Sequence, residues 1–296
     1  MNRASYFLLD VFTDSRYGGN QLAIFPNAHR IAADEMQAIA AELNLSETVF
    51  LYPKNEHGAF PMKIFTPKME LPTAGHPSIG TGFFLAREMN PTSNRPFHVY
   101  LDQAVGRVKI KVQHRYNVPT MATMYQQLPA FEKKIENRSL LSQLLSVDDK
   151  DLMDLPAQIV SCGVPFLIVP LNSIAAIKKI KFRIDVWETL RSETGDAFIY
   201  TFALGGDRPG SDLHGRMFAP QAGILEDPAT GAANGPLACY CLEYGLLEGP
   251  LISEQGFEMN RPSILHLQAK KENGLFSEVT VSGKSVFVGK GEFFLD

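Results

Sequence analysis

Hydrophobic residues occur along the chain mostly in short runs separated by polar residues, and this pattern predicts more strands than helices. Short runs rich in Phe, Tyr, Val and Ile, bounded by turn or charged residues, are typical of buried strands. In the first half they predict strands near residues 5–12, 20–25, 48–52, 60–65, 97–102 and 106–113. In the second half they predict strands near residues 120–127, 157–162, 165–170, 197–203, 213–218, 263–268 and 276–290.

Apolar residues at helical spacing predict one main helix in each half. The predicted helices cover residues 33–43, 77–88, 139–146, 173–179, 185–192 and 230–244. The polar stretch 131–150 is charged and helical in pattern, and we interpret it as a crossover between the halves. The predicted fold class is therefore α+β, with an antiparallel-rich sheet wrapped around one main helix in each half.

One ordered set of short sequence motifs occurs twice along the chain; we call the set the frame and its motifs the landmarks. Each copy has a strand-like stretch ending in Phe-x-Pro, at 65–67 and at 218–220. Each then has Glu-x-Pro-x-x-Gly, at 70–75 and at 226–231, followed by an apolar helical pattern. We interpret the frame as an internal duplication. The alternative is chance, because Pro and Gly before a helix are common.

The length of 296 residues exceeds that of most single domains and favours two. We place a first lobe at 1–130 and a second at 131–296, and leave open that the C-terminal strand returns to the first lobe. If the halves face each other, their two helix starts flank one cleft, where we expect the active site.

Composition and charge exclude several classes of function. The net charge is −4, and no run of Lys and Arg is longer than a pair, so we expect no nucleic-acid partner. We expect no signal peptide and no membrane span, and the three cysteines favour a reducing cytoplasm. The histidines are scattered without ligand spacing, so no metal is predicted. Neither a P-loop nor a Gly-x-Gly-x-x-Gly motif after a strand occurs, which disfavours nucleotide chemistry.

Two glycine-rich helix starts are candidate anion sites. In "TAGHPSIG" the backbone is open around Gly75 and His76, and in "ATGAANG" the backbone from Thr230 to Ala233 is barer still. A helix start has unpaired N–H groups and the positive end of the dipole. A small carboxylate substrate would suit such a site.

The polar residues near these starts have ordinary interpretations too. Asp227, before Pro228, could be only a helix N-cap. Glu47, in "LNLSETVF", could be only a solvated charge at a helix-to-strand junction. His76 at the head of a helix could be only a local hydrogen-bonding residue. The residues alone leave these alternatives open.

Four segments together resemble one family over nearly the whole chain. They are "DVFTDSRYGGNQLAIFPNA", "LSETVFL", "FTPKMELPTAGHPSIGTG" and "FAPQAGILEDPATGAANGPLA". They look like the phenazine biosynthesis PhzF-like isomerases, which share the duplicated fold of diaminopimelate epimerase. The resemblance implies two pseudo-symmetric lobes, each with a sheet curled around a central helix, and a homodimer.

The resemblance also implies roles for single residues. Glu47 matches the family's catalytic glutamate, the proton shuttle, and His76 and Asp227 match its polar partners around the substrate. Asn20 matches a conformation-fixing or substrate-side residue. Further substrate contacts are implied for the backbone donors of Gly75, Thr230, Gly231 and Ala232.

Two departures bear on the substrate and on the reaction. Ala232 stands where the family commonly has Ser, which weakens the case for the phenazine precursor, dihydro-hydroxyanthranilate, as substrate. Epimerases of this fold have a cysteine at each helix start, whereas this chain has Ala74 and Thr230 there. A racemisation by two thiols is therefore disfavoured, and a single carboxylate suits a proton shift on one face.

The function expected from the sequence is a cofactor-free isomerase acting on a small unsaturated or amino-substituted carboxylic acid. Glu47 would be its acid and base, with a pKa raised by an apolar cleft and by the charge of Asp227. The alternative is a protein that binds a small carboxylate in the same cleft without turnover.

Overall fold

The computed structural model describes residues 2–90 and 92–295. The chain divides into two compact units, one formed by residues 1–125 and 281–296 and the other by residues 126–280. The sequence predicts the boundary after residue 130. In the structure it follows Tyr125, and the last strand belongs to the first unit.

The first unit contains strands β1 to β8 and helices α1 and α2. The strands are β1 Asn2–Val11, β2 Asn20–Phe25, β3 Glu47–Leu51, β4 Phe60–Phe65, β5 Glu70–Leu71, β6 Phe97–Gln103, β7 Gly106–Arg115 and β8 Val118–Tyr125. The helices are α1 Ala33–Leu43 and α2 Gly75–Met89.

The second unit contains four helices and most of the remaining strands. The strands are β9 Ala130–Ile135, β10 Ala157–Ser161, β11 Pro165–Pro170, β12 Phe198–Leu204, β13 Leu213–Ala219, β14 Ile224–Asp227, β15 Leu251–Gln255, β16 Ser263–Glu272 and β17 Leu275–Gly283. The helices are α3 Arg138–Leu145, α4 Ile174–Lys179, α5 Ile184–Thr194 and α6 Gly231–Glu243. The chain ends with β18 Ser285–Leu295, which pairs with β1 in the first unit.

The first unit is a mixed sheet curled around α2. Its strands follow the order β18-β1-β2-β3-β4-β6-β7-β8, parallel only at β2/β3 and β4/β6. Helix α2 packs against strands from across this sheet, from β1 to β8. A helix enclosed in this way is apolar on all sides, and α2 is buried from Gly75 to Ala86. At Gly82 a Cβ would lie 2.5 Å from Ile110, so the absent side chain lets β7 approach.

The second unit repeats this pairing pattern. Strands β10 to β13 pair in order, β11/β12 and β13/β15 are parallel, and β16 follows β15. Helix α6 packs against β10, β11 and β16 and is buried over most of its length.

The strand registers of the two units agree residue by residue. In the first unit Thr48 lies opposite Phe65 of the first Phe-x-Pro landmark, and in the second Ile199 lies opposite Phe218 of the second. Helices α2 and α6 begin at the glycines that close the two frames, Gly75 and Gly231. The landmarks therefore occupy equivalent positions of one repeated α+β unit, and the predicted fold class is confirmed.

Three expectations about single elements need correction. The crossover helix over 131–150 is wrong in its first part, because Ala130–Ile135 is strand β9, paired with β10. The single strand over 276–290 is two strands, β17 and β18. The strand Leu251–Gln255 was missed, because its residues Ser-Glu-Gln are polar although all three are buried.

Candidate active site

Glu47, His76 and Asn20 form one buried cluster in the first unit. Glu47 begins β3, Asn20 begins β2 and His76 is the second residue of α2. They are 7%, 2% and 1% exposed. Nδ1 of His76 lies 3.2 Å from Oε2 of Glu47 and 3.0 Å from Nδ2 of Asn20. Because β2 and β3 are parallel neighbours, their first residues meet at one edge of the sheet.

His76 is neutral in this cluster. Burial lowers the pKa of His76 to about 3, although a hydrogen bond with the backbone of Gln21 acts in the opposite direction. A neutral imidazole has one N–H, so Nδ1 either accepts from the amide of Asn20 or donates to a neighbouring acceptor, the carboxyl group of Glu47 or the backbone of Gln21.

The turn before Asn20 is held by a buried acid, Asp10. The backbone N–H of Tyr17 donates to Oδ2 of Asp10 at 2.6 Å. Gly19 has a φ of 63°, and a Cβ there would lie 2.3 Å from the carbonyl oxygen of Val11. Only glycine fits this turn, which brings Asn20 to the start of β2. Asp10 was not among the predicted site residues. The sequence feature that could have pointed to it is a charged residue near the end of an otherwise apolar strand.

Of the predicted residues of the second unit, Asp227 and Thr230 are buried together at the start of α6. Asp227 is 2% exposed, and the hydroxyl of Thr230 donates to its Oδ2 at 2.6 Å. The N-cap of α6 is Thr230 rather than Asp227. The N–H of Thr230 donates to Oε1 of Gln255 at 3.0 Å, so this predicted backbone donor is engaged within the protein. Gly231 and Ala232, in the first turn of α6, have amides without partners inside the helix.

The two neighbouring acids of this segment have different surroundings. Glu226 accepts two hydrogen bonds from the guanidinium of Arg216, at 2.7 and 2.8 Å. Arg216 also donates to the carbonyls of Ile177 and Ile180. Glu226 is thus a structural ion-pair partner, whereas Asp227 belongs to the group at the start of α6.

Sequence reasoning missed a second buried charged group, centred on His214. Its Nε2 lies 2.8 Å from Oε1 of Glu258, and its Nδ1 lies 2.5 Å from Oε1 of Glu254. Burial alone would lower the pKa of His214, but hydrogen bonds to the two carboxylates raise it to about 9. Ligand atoms of Asp207, His214 and Glu254 lie within 4.8 Å of one another. Both ring nitrogens already face carboxylates, which is the geometry of an ion-pair network.

A cavity in the second unit contains none of the predicted site residues. Its volume is about 290 Å³, and its lining includes Arg138, Leu141, Leu152 and Asp154. Arg138 is engaged there by the carbonyls of Leu152 and Met153. Among the helices within residues 2–90 and 92–295, none is long and apolar enough to span a bilayer.

Comparisons with known proteins agree with this architecture. Over 292 residues the chain is 33% identical to the trans-2,3-dihydro-3-hydroxyanthranilate isomerase of Pseudomonas chlororaphis, covering 98% of this chain and 99% of that protein. The crystal structure of a PhzF-family phenazine biosynthesis protein from Bacillus anthracis matches with a TM-score of 0.89 at 26% identity, over 100% of both chains.

A more distant structure shares the fold alone. A probable proline racemase from Agrobacterium radiobacter matches with a TM-score of 0.69 at 11% identity, over 99% of this chain and 93% of that one. The model of the phenazine biosynthesis-like protein family, PhzC-PhzF, matches residues 9–291. A match over nearly the whole length, on the same duplicated fold, shows that the chain belongs to this family.

Proposed function

We propose that this protein is an isomerase that moves a proton on a small unsaturated or amino-substituted carboxylic acid, without a cofactor. The observation that carries the proposal is the buried contact between Glu47 and neutral His76 at the start of α2. The name of the Pseudomonas chlororaphis relative, trans-2,3-dihydro-3-hydroxyanthranilate isomerase, supports the reaction class.

In this proposal Glu47 removes a proton from carbon and returns it elsewhere on the same face of the substrate. His76 does not compete for that proton near neutral pH, because its pKa is about 3. It can instead hold the carboxyl group of Glu47 in one orientation through Nδ1. Asn20 lies on the same nitrogen, with its amide Nδ2 3.0 Å away, so it competes with Glu47 for Nδ1 and favours the ring state in which Nδ1 accepts.

Substrate contacts are assigned to the helix starts. The first-turn amides of α2, beginning at Gly75, and of α6, at Gly231 and Ala232, suit a carboxylate, because a helix start favours negative charge. Asp227 serves as a polar partner of the substrate. It is supported in this role by the hydroxyl of Thr230, which limits the orientation of the carboxylate.

The test is hydrogen exchange into trans-2,3-dihydro-3-hydroxyanthranilate in heavy water, followed by mass spectrometry and NMR. We expect the wild-type protein to introduce deuterium at carbon, and Glu47→Gln to slow this by about 10²- to 10⁴-fold, the usual contribution of a general acid–base group. Glu42→Gln, which alters an exposed acid of α1, is the matched control. Equal exchange in Glu47→Gln and wild type would exclude the role of Glu47.

The second candidate function is carboxylate binding without turnover. Ala232 favours it, because it offers no hydroxyl to a ligand at the start of α6. In that case carboxylic acids, the dihydro-hydroxyanthranilate included, raise the melting temperature of the wild-type protein while none of them gains deuterium. Exchange catalysed by the wild type would exclude this alternative.

A further inference from the structure

The strand that follows each central helix ends in a buried glutamine. Gln103 is the last residue of β6, and Gln255 is the last residue of β15. They are 8% and 0% exposed. Strand β6 runs parallel to β4, and β15 runs parallel to β13, at equivalent places in the two repeats. Each glutamine reaches the start of the central helix in its own unit.

Hydrogen bonds fix the orientation of the Gln255 amide. The backbone N–H of Thr230 can only donate, so the atom 3.0 Å from it is the oxygen Oε1. The nitrogen Nε2 then directs one hydrogen to the carbonyl of Asp227 at 2.7 Å and the other to the hydroxyl of Thr230 at 3.0 Å. The hydroxyl of Tyr200, a further donor, lies 3.4 Å from Oε1 and agrees with this assignment.

This orientation determines where the hydroxyl proton of Thr230 points. The hydroxyl accepts a hydrogen bond from Gln255, so its single hydrogen is available for one other contact. That contact is Oδ2 of Asp227, at 2.6 Å. A hydrogen bond of this length to a carboxylate stabilises its ionised form.

Gln103 makes a similar network without an acid. The hydroxyl of Thr73 donates to Oε1 of Gln103 at 2.5 Å, and Nε2 donates to the hydroxyl of Ser78 at 2.7 Å. In the repeated frame Leu71 stands where the second unit has Asp227. The two glutamines thus have equivalent places in the fold, and only one is connected to a carboxylate.

We infer that Gln255 is a positioning residue which, through Thr230, commits Oδ2 of Asp227 to accepting a hydrogen bond and thereby stabilises the ionised form of Asp227. The place of Asp227 in the chemistry rests on the proposed function. The arrangement of the side chains of Gln255, Thr230 and Asp227 is independent of that function.

The test compares Gln255→Met with Gln103→Met. The ionisation of Asp227 is followed by infrared spectroscopy of protein labelled with ¹³C-aspartate, with Asp227→Asn subtracted to isolate its signal. In Gln255→Met, we expect the pH midpoint of this titration to rise by about one pH unit, a tenfold change in proton affinity. The reason is that the hydroxyl of Thr230 can then rotate away from Oδ2, and the carboxylate loses the hydrogen bond that stabilises its ionised form. In Gln103→Met the midpoint stays at its wild-type value.

An unchanged midpoint in Gln255→Met, or an equal shift in both variants, overturns the inference. If Gln255→Met does not fold, neutron diffraction of the deuterated wild-type protein decides the question. Deuterium on the Thr230 hydroxyl pointing to Asp227 supports the inference, and deuterium pointing to Gln255 overturns it.

Neither measurement uses a substrate, so this inference and the proposed function fail separately. A wild-type protein that exchanges no substrate hydrogen refutes the function and leaves the Asp227 titration to decide the role of Gln255. Where exchange is observed, we expect Gln255→Met to lower kcat with a smaller effect on KM, and Thr230→Ser to retain more activity than Thr230→Val.

Discussion

At the scale of single residues, two buried histidines, His76 and His214, differ in charge because their neighbours differ. His76 is buried beside one acid and an amide, and desolvation keeps it neutral. His214 is buried between two carboxylates, which outweigh the desolvation and keep it charged. His76 lies in the glycine-rich helix start "TAGHPSIG", whereas no motif surrounds His214. The sequence therefore identified His76 by resemblance and gave no role to His214.

We expect the ring of His76 to remain neutral from pH 5 to pH 8. Its pKa in the folded protein is about 3, whereas an unfolded histidine has a pKa near 6.5. Acid therefore favours the unfolded state from about pH 6.5 downward, because only the unfolded histidine takes up the proton. Long-range ¹⁵N–¹H NMR of the rings, assigned with His76→Gln, measures this. A midpoint for His76 between pH 5 and pH 8 would contradict the neutral assignment.

At the scale of elements, parallel pairing explains why the first residues of β2 and β3 meet. Short apolar runs predicted both strands, near residues 20–25 and 48–52, and in the structure the second strand begins one residue earlier, at Glu47. It did not predict β15, whose residues Glu254 and Gln255 are fully buried. Such polar side chains are buried only when distant segments supply their partners, here His214 and the start of α6. No local pattern contains that information.

The ion-pair network between β13 and β15 should make stability depend on pH. The pKa of His214 is raised, so its contribution is complete below its unfolded pKa of about 6.5 and is lost as pH rises through about 9. Although burial acts to raise them, hydrogen bonds to His214 hold the pKa values of Glu254 and Glu258 low, so their contribution is lost as pH falls below about 4.5. The network is thus most stabilising between about pH 4.5 and 6.5.

His214→Gln tests this network by urea unfolding at several pH values. We expect a loss of about 3 to 5 kcal/mol near pH 6, because buried Glu254 loses its charged partner. We also expect the decline in unfolding free energy between pH 6.5 and 9 to be much weaker than in the wild type. His98→Gln, in strand β6, is the control and should keep the wild-type decline. An unchanged decline in His214→Gln would contradict the assignment.

At the scale of the whole molecule, the two units share the same strand pairing but differ in the ionisable residues at equivalent positions. The strand registers of the two units correspond, yet Phe198 stands where the first unit has Glu47, and Leu71 stands where the second has Asp227. Each unit therefore has an acid at a position where the other has an apolar residue. The first unit also depends on the end of the chain, because β18 pairs with β1 along its whole length. Phe287 of β18 packs against Phe83 and Phe84 of α2.

A fragment of residues 1–125 should not fold cooperatively, because it lacks β18. A permuted chain, in which residues 281–295 precede residue 2 through a short glycine-rich turn, should fold, since Asn2 lies opposite Leu295. Circular dichroism during thermal unfolding measures whether each protein has a cooperative transition. The fragment of residues 126–280 is the control, because it does not contain β1 or β18. A cooperative transition in the 1–125 fragment would contradict this dependence on β18.

The sequence alone determined the features that depend on local order. Short apolar runs predicted most strands, the repeated frame predicted the two helix starts, and the resemblance named Glu47, His76 and Asp227 as candidates. The tertiary structure alone decided which polar groups are buried together, because Gln255 and Glu254 become informative only beside partners far away in the chain. It also decided the charge of His76, which depends on solvent exclusion by the whole first unit.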